Sequence, residues 1–213
     1  SAKTTGIDVN QGNNSVRYKS SSFWQNTPLS DDGEFAINAS FPSHLNVMNL
    51  SILGRDRAGI ASLQKNYHLV RKGAPYVASI PTQKETLSGD NMDFAFRTNN
   101  LDPWKNLSFS YQYNKDVIDI KEISVVEEWK EKVHLETTDS DNGTFITLTT
   151  TEPNLEDVTT LLNVNVTIKD DAFVSDYFPL IANSVSLTKA DNSKVSVSSI
   201  SPPVKVWSSY SEL

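Results

Sequence analysis

The stretch Gly54-Arg55-Asp56-Arg57-Ala58-Gly59 sets two guanidinium groups around a carboxylate between two glycines. Paired arginines present planar forks of donors that hold a carboxylate or phosphate bidentately, so the first chemical question is whether this is an anion site. The competing reading is a hairpin turn. Asn49 to Leu53 reads as a strand, Gln64 to Val70 returns beside it, Gly59 supplies a left-handed backbone and Asp56 accepts N–H bonds in the loop. No second anion-binding group stands nearby, and the turn is the preferred reading.

Other chemistry-bearing residues pose the same choice between site and scaffold. A glycosidase needs two positioned carboxylates, but Glu127-Glu128, Glu156-Asp157 and Asp170-Asp171 are adjacent in sequence. Neighbours on a strand point to opposite faces, so these read as solvated charges. His44, His68 and His134 are scattered, with no partner at metal-ligand spacing. No Gly-x-Ser-x-Gly elbow, Walker loop or dinucleotide fingerprint occurs. Asp139-Ser-Asp141-Asn-Gly143 alternates oxygen ligands like the start of a calcium loop but lacks the distal Glu. Asp139 and Asp141 are therefore weak calcium candidates, set against a hairpin with Asn142-Gly143 at its tip. No other cofactor is expected. Of Trp24, Trp104, Trp129 and Trp207, Trp129 sits among charges in Glu127-Glu-Trp-Lys-Glu131 and is the aromatic singled out as exposed for a ligand, set against a lone, partly buried tryptophan. Phe109, Tyr111 and Tyr113 alternate with Ser and Gln and are assigned to a core.

The totals narrow the classes further. The chain has 213 residues and no cysteine, which removes disulfides, thiolate metal sites and cysteine nucleophiles. A composition rich in Ser, Thr, Asn and Val points outside the cell, as in disulfide-free secreted proteins of Gram-positive bacteria. No apolar run approaches the roughly 20 residues of a membrane helix, so membrane insertion is not expected. Residues 1–74 carry a net +3 and residues 75–213 a net −10. Such asymmetry argues for two units, and an acidic second unit lacks the clustered cations that nucleic acid requires. The chain starts without Met and ends without an anchor, which reads as a piece excised from a longer protein. Six Asn-x-Ser/Thr sequons, at Asn13, Asn38, Asn49, Asn106, Asn142 and Asn165, read as chance products of composition.

The elements that must position these residues are strands. Ser108–Tyr113, Phe145–Thr149, Val164–Ile168 and Val195–Ser198 alternate with period two. Turn punctuation at Asp31-Asp32-Gly33, Ser88-Gly89-Asp90, Asn142-Gly143 and Asp191-Asn192-Ser193 separates the runs. The pattern predicts an all-β protein of two consecutive antiparallel β-sandwich domains. Ser124–Val133 and Asn154–Leu161 are expected to be short excursions between strands. Arg71-Lys72-Gly73-Ala74-Pro75 is the expected linker, giving domains at 1–72 and 73–213.

Two resemblances refine this reading. Leu50-Ser51-Ile52-Leu53-Gly54 followed by Asp56-Arg57-Ala58-Gly59 resembles the last hairpin of bacterial fibronectin type III-like or immunoglobulin-like modules, with Ile60 where that pattern has Asn. In the second unit, Leu107 to Ile120 resembles a strand, turn and strand of cohesin-like modules. Gly143 to Leu148, Leu162 to Ile168, Phe178 to Ile181 and Val185 to Val197 are similar to its later strands. Asn114-Lys115-Asp116 replaces the family's Asp-Pro turn, so dockerin binding is not carried over. The second resemblance implies a jelly-roll-like sandwich, a scaffold shared with carbohydrate-binding modules. Together they imply a noncatalytic spacer and docking region of a large Gram-positive cell-surface or cell-wall protein, such as a protease, glycosidase or adhesin. Its partners would be the other domains of the parent chain, and a glycan or surface protein.

Overall fold

A computed structural model describes residues 2–3, 15–19, 25–28, 30, 34–37, 43, 45–55, 64–99, 101, 103–141, 143–151, 158–172 and 177–207. The chain divides into two compact units, Ser1–Lys72 and Gly73–Leu213. Gly73 takes a left-handed φ of 78°, a conformation that favours glycine.

Among its described residues the smaller unit forms β1 (Ala2–Lys3), β2 (Ser15–Lys19), β3 (Gln25–Pro28), β4 (Glu34–Phe35), β5 (Val47–Arg55) and β6 (Lys65–Val70). They form a β1-β4 pair and a four-stranded sheet in the order β3-β2-β5-β6, all antiparallel. Val47 lies opposite Val70 and Ile52 opposite Lys65, so the strands flanking the Arg-Asp-Arg stretch pair as a hairpin. Asp56 to Gly59 themselves lie outside the described residues. Met48 and Leu50 are buried on one face of β5. On the other face Asn49 faces His68, with Oδ1 2.6 Å from Nδ1, and Ser51 Oγ donates to Asn66 Oδ1 at 2.8 Å.

The larger unit begins with β7 (Tyr76–Pro81), β8 (Glu85–Leu87), β9 (Asn91–Asn99), β10 (Trp104–Gln112) and β11 (Ile118–Val125). It continues with β12 (Val133–Ser140), β13 (Gly143–Thr150), β14 (Thr159–Ile168), β15 (Tyr177–Phe178) and β16 (Ile181–Lys189). It closes with β17 (Lys194–Ser196), β18 (Ser198–Ile200) and β19 (Val204–Trp207). Two five-stranded sheets, β11-β14-β9-β7-β18 and β12-β13-β10-β16-β17, are accompanied by a small β15-β19-β8 sheet. Pairing is antiparallel except at β18 with β7 and β19 with β8. The antiparallel sandwich expected from the alternation thus carries two parallel ribbons. The reason is chain-closing geometry: the final strands come back beside early strands running in their own direction.

The alternation along β9 and β10 makes the sandwich. Met92, Phe94 and Phe96 on β9 and Leu107, Phe109 and Tyr111 on β10 are buried, while the residues between them face out. Phe96 and Phe109 stack with centroids 4.5 Å apart and an interplanar angle of 5°. Tyr111 meets Phe109 edge-on at 5.2 Å, so both faces of the sandwich meet through an aromatic cluster. A buried phenylalanine contributes about 1.5–3 kcal/mol over an exposed one, and this cluster dominates the core. The segment expected as an excursion ends β11 at Val125 and then forms a single 3-10 turn over Glu127–Trp129. Residues 152–157, which include the first half of the other candidate excursion, lie outside the described residues.

Candidate functional site

The core-forming alternation leaves a contrasting surface on the far side of the β10 sheet. Asn106, Ser108 and Ser110 on β10 lie in register with Thr149, Thr147 and Phe145 on β13, and with Thr188, Ser186 and Asn183 on β16. Inward neighbours Leu107, Phe109, Ile146, Leu148 and Leu187 are buried, so period two turns these rows outward. The rows carry no Asp, Glu, Lys or Arg. Ser108 Oγ donates to Asn106 Oδ1 at 2.9 Å, Asn106 Nδ2 donates to Thr149 Oγ1 at 3.3 Å, and Asn183 Nδ2 reaches Gln112 Oε1 at 3.4 Å. Each hydroxyl or amide has lone pairs or hydrogens to spare, so the face can hydrogen-bond a second surface.

Two features break its uniformity. Phe145 is 46% exposed, a lone ring among hydroxyls, in register with Thr138 of β12 as well as Ser110. The second is a bulge, where the register slips between Ser108 and Ser110 and Ser184 takes a φ of 52°. Asn183 Oδ1 accepts the Ser184 N–H at 2.9 Å, which supports a backbone conformation costly for a residue with a Cβ. Such bulges re-aim side chains beside binding sites. Charge enters only at the rims, with His134 Nε2 3.4 Å from Glu136 Oε1 on β12 and Lys194 opposite Thr188.

The residues singled out from sequence lie elsewhere. The expected exposure of Trp129 is corrected: it is only 8% exposed. The 3-10 turn points Glu127 and Glu128 outward and folds the indole onto the core, while Lys132 Nζ lies 5.3 Å from its centroid. A ligand role resting on that exposure loses its basis. Asp139 and Asp141 sit in the β12–β13 hairpin, where Asp139 Oδ1 accepts from Thr144 Oγ1 at 2.8 Å. Lys115 Nζ donates to the Ser140 and Asp141 carbonyls at 3.1 and 2.9 Å, so an ammonium occupies the oxygen-rich turn. Among the described residues no three His, Cys, Asp or Glu side chains gather to hold a metal ion. Gly143, expected at the hairpin tip with Asn142, instead pairs with Ser140 and begins β13, while Asn142 lies outside the described residues. Gly143 is required there: its φ is 130°, and a Cβ would come 2.2 Å from the Tyr111 carbonyl oxygen. Trp24 and His44 lie outside the described residues, whereas Trp104 is fully buried and Trp207 is 38% exposed.

Sequence reasoning missed Phe145. The signal was its phase: it shares a face with Thr147 and Thr149, whereas Ile146 and Leu148 form the apolar set. Burial also settles the Tyr111 hydroxyl, to which Ser79 Oγ donates at 3.4 Å within the core. Desolvation pushes its pKa far above the ordinary tyrosine value, the Ser79 hydrogen bond opposing this only in part.

No protein-family model and no curated protein matches the sequence. Solved structures do. A non-cellulosomal cohesin from the archaeon Archaeoglobus fulgidus aligns with a TM-score of 0.54 at 10% identity, covering 62% of this chain and 91% of its own. A cohesin module from a Clostridium perfringens family 33 glycoside hydrolase aligns at 0.53 and 14% identity, covering 63% and 96%. The cohesin of a type I cohesin–dockerin complex from Clostridium thermocellum aligns at 0.51 and 11% identity, covering 63% and 93%. That share is more than the smaller unit can supply by itself. At such identities the likeness is one of architecture: this chain is an all-β sandwich protein whose structural neighbours are cohesin modules of jelly-roll form.

Proposed function

We propose that Gly73–Leu213 is a noncatalytic docking module of a larger extracellular protein, and that it binds a partner protein with the outer face of the β10 sheet. The observation that carries this reading is the uncharged, hydrogen-bonding face centred on β10 with Phe145 exposed on it. Protein interfaces concentrate binding energy in a few aromatic anchors ringed by hydrogen-bonding contacts. A flat face of this kind suits an interface of the standard size, roughly 800 Å² per partner.

The structural likeness supports the same reading, because several neighbours were solved as cohesin–dockerin complexes. The departure at Asn114-Lys115-Asp116 lies in the connection between β10 and β11. There Asn114 Oδ1 accepts the Asp116 N–H at 2.9 Å, and Lys115 is spent on the β12–β13 hairpin. The smaller unit, on its resemblance to fibronectin type III-like modules, acts as a spacer, with Lys72-Gly73-Ala74-Pro75 as its hinge. The parent is a cell-surface protein of the Gram-positive type.

The test immobilises the full chain against a panel of purified dockerin domains and surface proteins, read by biolayer interferometry. Binding is expected to be lost in Phe145→Asp and to change little between low and high salt, since screening acts on charged contacts. A panel without a single binder, or binding untouched by Phe145→Asp, overturns the assignment of this face.

A further inference from the structure

The β8–β19 ribbon carries a second surface feature, away from the β10 sheet. The strands run parallel with Glu85 beside Lys205 and Leu87 beside Trp207. Thr86 and Val206 between them are buried, so alternation turns all four flanking side chains outward. Leu87 is 44% exposed and Trp207 38%, which makes a contiguous apolar step. The indole on it is held in place. Its Nε1–H donates to Glu85 Oε2 at 3.0 Å, Lys205 Nζ lies 3.4 Å from the ring centroid, and the Ser88 N–H donates to the Trp207 carbonyl at 2.8 Å.

An exposed ring already fixed in one orientation gives up little further side-chain entropy when a ligand settles on it. The chemistry around the ring narrows what that ligand is. Glu85 and Lys205 cancel in charge, so neither an anion nor a cation is favoured overall: a phosphate or uronate would face the carboxylate, and an amine the ammonium. A plain hydrocarbon would strip water from both charged groups without replacing its hydrogen bonds. A neutral sugar ring satisfies every group at once. Its apolar C–H face covers the indole, its hydroxyl hydrogens meet the carboxylate, and its hydroxyl oxygens accept from the ammonium.

We propose that Glu85, Leu87, Lys205 and Trp207 form a binding site for a neutral pyranose unit of a polysaccharide, separate from the protein-docking face. On binding, the sugar takes the ring face that Lys205 covers, and the flexible lysine stem carries its ammonium to the hydroxyls. The two surfaces let one module hold a partner protein and a polysaccharide together.

The experiment titrates the full chain with soluble neutral oligosaccharides of the β-glucan, xylan, mannan and galactan classes, read by calorimetry. At least one class binds, Trp207→Ala weakens it about tenfold or more, and Trp207→Phe, which keeps a ring, restores part of the loss. Glu85→Gln weakens it by a smaller factor, and Tyr67→Ala, which removes an exposed ring in the other unit, leaves it unchanged. Thermal melts of every variant separate lost binding from lost fold. The proposal is overturned if none of the four classes binds, if binding is equal in Trp207→Ala, or if that variant instead changes the oligomeric state. The last result would assign the ribbon to a protein contact.

Discussion

The outer face of the β9 sheet carries Asp93 and Arg97 on β9 and, across β14, Asp119 and Glu122 on β11. The central rows of the β10 sheet, on β13, β10 and β16, show Asn, Ser, Thr and one Phe, with His134, Glu136 and Lys194 confined to its outer strands. Both sheets turn Phe, Leu, Ile and Val inward, so core formation does not explain the contrast. On the β9 sheet polar groups are satisfied among themselves: Asn165 Nδ2 donates to Asp93 Oδ1 at 2.8 Å and Thr167 Oγ1 to Asn91 Oδ1 at 2.5 Å. Charges there keep water bound and discourage association. The β10 face costs less to desolvate, since hydroxyls and amides shed water more cheaply than ions, and it exposes a ring. The difference separates a solvated face from one that can be covered.

Breaking the shared inner faces should have the largest effect. Phe109→Ala removes the ring stacked on Phe96 and opens a cavity, with an expected loss of about 3–5 kcal/mol in denaturant melts. A smaller loss would mean that the two sheets pack less tightly than the 4.5 Å stack implies. Gly143→Ala comes next. Backbone strain at this φ costs about 1–3 kcal/mol, and the added Cβ must also push Tyr111 away. Wild-type stability for this variant would contradict the close approach of Gly143 to the Tyr111 carbonyl.

The buried Tyr111 hydroxyl makes a pH prediction. Its folded pKa lies above its unfolded value, so the contribution is intact below about pH 10 and declines as pH rises beyond that, by about 1.4 kcal/mol per pH unit. Tyr111→Phe should remove this part of the alkaline slope, measured by melts between pH 9 and pH 11. Phe145→Asp sharpens the comparison from the outside, abolishing partner binding while moving stability by no more than about 0.5 kcal/mol. The smallest effect is expected from calcium. With Lys115 already on the hairpin carbonyls, about 10⁻³ M calcium should leave the melting temperature unchanged, and a rise lost in Asp139→Asn would restore Asp139 and Asp141 as ligands.

Much of the strand set was readable because period-two alternation is a local property. Phe109 and Tyr111 were assigned inward by their alternation with Ser and Gln, and both are buried. Trp129 was misread because its neighbours are charged. A 3-10 turn lets Glu127 and Glu128 stay in water while the indole between them and the next strand turns in, and that direction depends on what lies beneath. The β10 face escaped notice for a related reason: Ser108, Thr147 and Ser186 are unremarkable singly and become a surface only through pairing.

What the sequence by itself determined was the all-β class, the phase of the strands and the apolar set that must be covered, since these follow from side-chain spacing and turn chemistry. Tertiary structure alone decided which polar rows became neighbours, where the register slipped at Ser184 and which of the described tryptophans reached the surface. The same holds for the parallel pairing that sets Trp207 beside Leu87. Glu85 and Trp207 are 122 residues apart in the chain, and hydrogen-bonded partners so distant leave no periodic trace. Their meeting is fixed by how the sandwich closes, and it is that closure which turns scattered residues into two surfaces.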